Sequence, residues 1–559
     1  MSARDIDVLI LGAGINGAGL FRDLCEQGLR CVIVDKGDFG SGTSAAPSRL
    51  IHGGIKYLET GELRLVAQST LERNLLLRNA PHAVRPLPTV IPIFSWLRGI
   101  PAALRTLFGS TTAPRSRGAV LIKIGLVLYD VYGARRRVMP RHALWSRSRA
   151  LREIPPLTPR IVAAGTYYDA TVTGPERMVF ELVQDGLAAS PGSEAMNYTW
   201  LTSADGAALH FRGPDGTSRS FRPRVVVNAA GPWIDKVNAA LGAPSRLIGG
   251  TKGSHVLLDH PELVRALNGR MIYFEADDGR ICLVFDYLGR ALVGSTDIRD
   301  SDPDAVRCED DEIDYFLQSL RGLLPGLHFS RDQIVYAYSG IRPLPASDGT
   351  AVGLISRDHS APVIEPGDGR PYPIVSLIGG KWTTFRGFAE EVSDTILKRF
   401  GRFRLKSTRE LAIGGGRDFP GDAAAREAWI GRAAEATGAT AARAGELLDR
   451  YGTTASAILA HEGANDARLP DASAYSLREI DWIARNEKVV DIEDIVMRRT
   501  TLAITGGLSR RDLAVVADVA ARALGWDPAY REHRLAQAEA MLVARHRLRL
   551  SHRLDAAAE

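Results

Sequence analysis

The chain has 559 residues with 70 Lys and Arg against 65 Asp and Glu, a net charge of +5, 45% hydrophobic and 24% charged residues. This length predicts several domains with ample apolar core, and the balanced composition excludes a disordered or low-complexity chain. The weak positive charge lacks the basic–aromatic array of a nucleic-acid binder, so no nucleic-acid role is expected, and Cys25, Cys31, Cys282 and Cys308 lack the spacing of a zinc site or disulfide framework.

The segment "MSARDIDVLILGAG" runs directly into a strand, predicting no secretory leader, and no apolar run reaches bilayer-spanning length. Residues 7–28 read as buried strand, glycine turn and helix, and 30–37 as the next strand, which makes a βαβ unit. Helical spacing follows at 60–80. Residues 220–238 repeat the strand–glycine turn–helix pattern. The runs "MIYFEAD", "RICLVFDYLGRALVGSTD" and "QIVYAYSGIRPL" predict a second, largely antiparallel sheet. "YPIVSLIGGKWTTFRGFAEEVSDTILKRF" returns to strand, turn and helix, and from about residue 406 an Ala-, Arg- and Glu-rich composition with helical periodicity predicts a separate helical domain over 406–559.

Gly12, Gly14 and Gly17 form G-x-G-x-x-G between strand and helix. The first permits the tight turn, the second lets backbone approach a pyrophosphate, and the third lets helix and strand close together, with the helix N-terminus facing the phosphates. Asp35, ending the second strand, is placed to accept from a ribose hydroxyl and would repel a 2′-phosphate, which argues against NADP. The Gly- and Ser-rich "GDFGSGTSAAPSRLIHGG", the strand "VVVNAAGPW" and the late "GGKWTTF" add further backbone approaches to the same ligand. Three separated approaches favour FAD over NAD.

With these landmarks in view, the chain resembles the FAD-dependent glycerol-3-phosphate dehydrogenases of respiratory chains. The resemblance rests on "GAGINGAG", "SRLIHGGIKYLE", "ERNLLLRNAPH", "GLVLYD", "NAAGPW", "KGSHVLL", "GSTD", "YSGIRPL", "ISRD", "GGKWTTFR" and "NEKVVDIEDIVMRRTTLA", in order along nearly the whole chain. It implies an α/β fold: a Rossmann-like FAD domain interleaved with an α+β antiparallel-sheet cap domain over 1–405, then the helical C-terminal domain. It also implies oxidation of sn-glycerol 3-phosphate to dihydroxyacetone phosphate, with electrons passing through FAD to a membrane quinone, in a homodimer or larger assembly on the inner face of the cell membrane.

Oxidising a secondary alcohol calls for a group to take the hydroxyl proton and a hydride acceptor, and a phosphate dianion calls for fixed cations. Carried over from the family, Arg342 and Arg357 are the phosphate-binding candidates. Lys56 and Tyr57 lie beside the substrate, and His52 is the candidate base or hydroxyl orienter. Thr296 and Lys381 fall on motifs placed near flavin or substrate. The cofactor contacts implied are Gly12, Gly14, Gly17, Asp35, Thr43, Ser44, Gly53, Gly54, Gly231, Gly380, Lys381 and Thr383, with Gly53 and Gly54 making room for the flavin.

The chain departs from the family pattern on the substrate side. Ala45, Ala46 and Pro47 interrupt a serine-rich run, Arg49 replaces a usual lysine, and Lys56 replaces a usual arginine, a bidentate fork exchanged for a point charge. A longer polyol phosphate, such as an erythritol phosphate, therefore stays open, as does oxygen as acceptor. Leu97, Ile100, Leu104, Leu107 and Phe108 would share one helical face beside Trp96, with Arg98, Arg105, Arg115, Arg117, Lys123 and Arg135–Arg137 nearby. That is the pattern of a basic amphipathic helix lying in a membrane interface.

Overall fold

The computed structural model describes residues 3–58, 61–97, 118–134, 138–347, 358–367, 369–464 and 466–550. Arg357, the segment 98–117 and Arg135–Arg137 lie outside the described residues. In chain order, β1 (Arg4–Leu11), α1 (Ile15–Glu26) and β2 (Cys31–Val34) form the predicted βαβ unit. Then come α2 (Leu63–Asn79), β3 (Val84–Ile93), α3 (Ala119–Tyr132), β4 (Ala163–Val172), α4 (Pro175–Ala189) and β5 (Ser218–Asn228). The second half of this region supplies β6 (Thr251–Leu258), β7 (Met271–Glu275), β8 (Ile281–Tyr287), β9 (Arg290–Gly294), α5 (Asp310–Leu323), β10 (Ile334–Arg342), β11 (Ile374–Ser376) and α6 (Phe385–Arg399).

Among the described residues these strands make two sheets. In the first, β2, β1, β5 and β11 run parallel, with Val8 against Val225 and Val226 against Ile374 in register. The continuous apolar runs that predicted buried strands are buried on both faces, one under α1, α4 and α6 and the other against Leu209, Phe211 and Leu241. The second sheet is antiparallel apart from the short β3–β7 pairing at Met271 and Thr89. One face packs on α5 through Val256, Val284 and Ala337. The opposite face carries Leu257, Phe285 and Tyr338 into a core shared with Ile480, Ile492 and Val516 of the C-terminal helices. Period-two alternation along β6 and β10 thus serves two different cores.

From residue 423 onward the chain is helical: Ala423–Thr437, Ala441–Tyr451, Ala455–Glu462, Leu477–Asn486, Arg510–Leu524 and Pro528–His546. These helices are bolted to the first sheet's domain by buried charge. Asp38, just past β2, accepts from Arg499 at 2.7 and 2.9 Å and from Arg498 at 2.7 Å. Arg177 on α4 forms a bidentate pair with Glu487 at 2.6 and 2.8 Å.

Candidate functional site

The first part of the site is a cradle at the C-terminal end of the parallel strands, where α/β sheets bind nucleotides. Gly12 has φ +104°, and a Cβ there would lie 2.6 Å from the Ala229 carbonyl oxygen. A Cβ on Gly17 would come within 2.0 Å of the Gly12 carbonyl oxygen. Both glycines are fixed by backbone that cannot yield. Gly14 faces Ser44, whose hydroxyl accepts the Ile15 N–H at 2.9 Å. The Asp35 carboxylate accepts the Ala13 and Gly37 N–H groups at 2.7 and 2.9 Å; burial pushes it up to about 6 against the pull of those amides. Gly231 opens the turn that follows β5.

This donor set fits FAD. The N-terminal amides of α1 have no intrahelical partner, the Asp35 carboxylate has acceptor capacity beyond its two amides, and the buried Asn16 Oδ1 has no hydrogen-bond partner. Asn16 also donates to the Gly379 carbonyl at 3.2 Å and lies against Gly380, which brings the late glycine turn onto the first motif.

The second part joins residues some 300 positions apart. The His52 N–H donates to Thr383 Oγ1 at 3.2 Å, and the His52 ring stacks on Tyr57 with centroids 6.3 Å apart. Lys381 Nζ stands 3.6 Å over the Tyr57 ring, donates to Ser69 at 3.2 Å and lies against Gly54. Lys56 occupies the same one-turn helix as Tyr57, Ile55–Leu58. Gly53 turns out to be small for a reason other than the one expected. Its absent Cβ would meet Tyr129 Oη at 2.3 Å and Thr70 at 2.5 Å, so the space it leaves is filled by protein.

The third part is the end of the antiparallel sheet. Thr43 donates to the Ile341 carbonyl at 2.6 Å, tying the turn after the cradle to β10. Arg342 is half-buried and pairs with Asp297 at 2.9 Å, while its other amino group donates to Ser295 Oγ and the Thr296 carbonyl, both at 3.1 Å. Thr296 is embedded in structure. Its hydroxyl donates to Glu312 at 2.7 Å and accepts the Ser254 N–H at 2.9 Å, and Glu312 also binds Lys252 at 2.9 Å. Burial would push Glu312 up, but the Glu309 amide, Lys252 and Thr296 together hold it below its ordinary value. Arg49 is likewise spent, forming a buried bidentate pair with Glu176 at 3.0 and 2.8 Å.

One residue beside Arg342 had not been singled out. His255, in the motif "KGSHVLL", stacks on Tyr338 at 4.9 Å and meets Ser48 Oγ at 3.1 Å, while its Nδ1 has no hydrogen-bond partner. Burial, with Arg342 and Arg49 adding to it, drives its pKa well below the ordinary histidine value, so the ring is neutral. The only sequence signal was its place in that motif; in the fold it lies opposite Gly294, whose Cβ would collide with the ring.

Residues 7–394 match the family model described as FAD dependent oxidoreductase, and residues 406–531 match the C-terminal domain of alpha-glycerophosphate oxidase. The chain belongs to the FAD-dependent oxidoreductase family. This enzyme is 30% identical over 530 residues to a glycerol-3-phosphate dehydrogenase of Pseudomonas aeruginosa, covering 90% of this chain and 93% of that protein. It is 31% identical over 422 residues to D-erythritol 1-phosphate dehydrogenase of Brucella abortus, covering 73% and 77%. It shares its fold with the glycerol-3-phosphate dehydrogenase of Bacillus halodurans solved with FAD, at a TM-score of 0.74, 21% identity and coverage of 97% and 95%. The family resemblance and the FAD-binding α/β fold with a helical C-terminal domain are borne out.

Proposed function

We propose that this flavoenzyme oxidises sn-glycerol 3-phosphate to dihydroxyacetone phosphate and passes the electrons to a membrane quinone. The observation that carries the reading is the convergence of His52, Tyr57, Thr383 and Lys381 from two distant motifs beside the glycine cradle. FAD, when bound, supplies the hydride acceptor. The chain's own groups bind and orient the alcohol. Arg342, held by Asp297, Ser295 and the Thr296 carbonyl, places a fixed positive charge for the phosphate, and Lys381 and Tyr57 stabilise the substrate oxygen as its proton leaves. His52 takes that proton, or orients the hydroxyl that loses it.

The quinone acceptor is supported by α3. Its inner face is buried through Ile122, Leu126 and Tyr129, whereas Val120, Ile124, Val127, Leu128 and Val131 are exposed, with Ile124 at 52% and Val131 at 64%. Phe94, Trp96 and Leu97 are exposed at the same end, because the Ala119 and Val120 amides bond to the Ser95 and Trp96 carbonyls. A contiguous apolar face rimmed by a tryptophan suits peripheral contact with lipid. No helix among the described residues is long and apolar enough to cross a membrane.

The similar identity to a D-erythritol 1-phosphate dehydrogenase makes a tetritol phosphate the second substrate to test. Turnover with a short-chain quinone should be fastest with sn-glycerol 3-phosphate, slower with D-erythritol 1-phosphate and absent with glycerol. Faster turnover of the erythritol ester reassigns the substrate. Turnover of an amine or amino acid instead overturns the reading.

A further inference from the structure

Beneath the His52–Gly54 segment lies a buried cluster for which the proposed chemistry has no use. The Gly53 N–H is shared between Tyr129 Oη at 2.9 Å and Asp169 Oδ1 at 3.0 Å. Tyr129 in turn donates to Asp169. Arg73 reaches Tyr129 Oη at 2.8 Å, Asp169 Oδ1 at 2.9 Å and the Tyr168 carbonyl at 3.1 Å. The three side chains come from α3, β4 and α2, and all are buried. Burial foremost, reinforced by Asp169, drives the Tyr129 phenol well above its ordinary value, so it remains protonated and keeps donating to the carboxylate.

An ion pair inside a protein is a poor source of stability, since apolar residues of the same volume do as well. Here its geometry converges on one backbone amide that sits between His52 and Gly54. The absent Cβ of Gly53 is what allows that approach. Without the cluster, the Gly53 N–H would be a buried donor with no partner, and the segment would shift to find one. Tyr129 also belongs to the helix whose outer face is the exposed apolar surface, so α3 runs between that surface and the site.

We infer that Tyr129, Asp169 and Arg73 form a positioning unit that clamps the Gly53 amide, fixing His52 and Gly54 and tying the setting of the site to the seating of α3. The inference rests on the flavin reading of the His52–Gly54 segment. Its residues are positioning residues, acting through Gly53.

The test compares Tyr129→Phe and Asp169→Asn with wild type, all as FAD-loaded full-length protein. Tyr129→Phe removes one hydroxyl and keeps the Arg73–Asp169 pair, so it remains informative if Asp169→Asn fails to fold. Amide exchange in peptides covering residues 50–58 should rise at least about tenfold in Tyr129→Phe, with peptides elsewhere unchanged. The visible circular dichroism of the bound flavin should change, and flavin reduction by substrate should slow at least about tenfold with less effect on KM. Unchanged exchange at 50–58 with an unchanged flavin spectrum would overturn the inference. So would faster exchange throughout the protein with loss of FAD, which marks a purely structural role. Failure of every polyol phosphate to reduce wild-type flavin would sink the substrate reading, while exchange and dichroism still decide the role of the cluster.

Discussion

Replacing Asp38 with Asn keeps the shape of the side chain and removes the anion that faces Arg498 and Arg499. Asp38 and Arg499 are fully buried, and the three contacts at 2.7 to 2.9 Å leave no room for water to substitute. Burial raises the Asp38 carboxyl, but Arg499 and Arg498 outweigh it and hold the group at about 2. Against an ordinary value near 3.9, that shift corresponds to about 2 to 3 kcal/mol of stability at neutral pH. Because the folded value is the depressed one, this contribution is complete above about pH 4 and is lost as pH falls toward about 2. Arg498 keeps Asp494 and Arg499 keeps the more distant Glu487 carboxylate at 3.7 Å, so the variant weakens the buried network without leaving either cation unpaired, and the total stays at about 2 to 3 kcal/mol.

The consequence reaches the cofactor site, since Asp38 stands three residues beyond Asp35 and Gly37 donates to the Asp35 carboxylate. Asp38→Asn should lower the urea concentration at which the 487–500 segment becomes cleavable by protease at pH 7. It should also weaken FAD retention. The gap to wild type should narrow at about pH 3. A variant within about 0.5 kcal/mol of wild type at pH 7, or a gap indifferent to pH, would refute the reasoning.

Gly17→Ala places a Cβ 2.0 Å from the Gly12 carbonyl oxygen, a backbone atom, so α1 must move away from the cradle. Overpacking of this kind costs about 1 to 3 kcal/mol, and equilibrium dialysis should show FAD affinity reduced about tenfold or more. Arg342→Ala should raise KM for the polyol phosphate by about tenfold to a hundredfold, as expected for loss of charge-assisted hydrogen bonds, with FAD content unchanged; steady-state kinetics and flavin absorbance check both halves. Ile124→Glu with Val131→Glu, on the exposed face of α3, should lower flotation with anionic vesicles about tenfold while leaving dye-linked turnover intact.

Local pattern carried the cradle into view. A glycine spacing, two buried strands and one acidic residue lie within 30 positions, and backbone sterics alone give each glycine its role. The antiparallel sheet and the helical tail were legible from periodicity for the same reason. Charge pairing was not. The Asp38–Arg499 bolt spans 461 positions, and nothing local to either residue points to the other. Arg49 and Thr296 look like ligand groups in a linear reading, yet Glu176 and Glu312, brought in by α4 and α5, absorb their hydrogen bonds. Gly53 shows the same limit: the motif announces a close approach, and only the fold says that the approaching group is Tyr129. The amphipathic residues from Leu97 lie mostly outside the described residues, whereas the exposed apolar face that is described belongs to α3, where "GLVLYD" stands in the sequence only as a family motif.

The central claim is tested most directly by titrating the purified holoenzyme with sn-glycerol 3-phosphate in the absence of oxygen and following the visible absorbance of its flavin. The account predicts stoichiometric bleaching by the phosphate ester and none by glycerol. A flavin that stays oxidised with every polyol phosphate would contradict it.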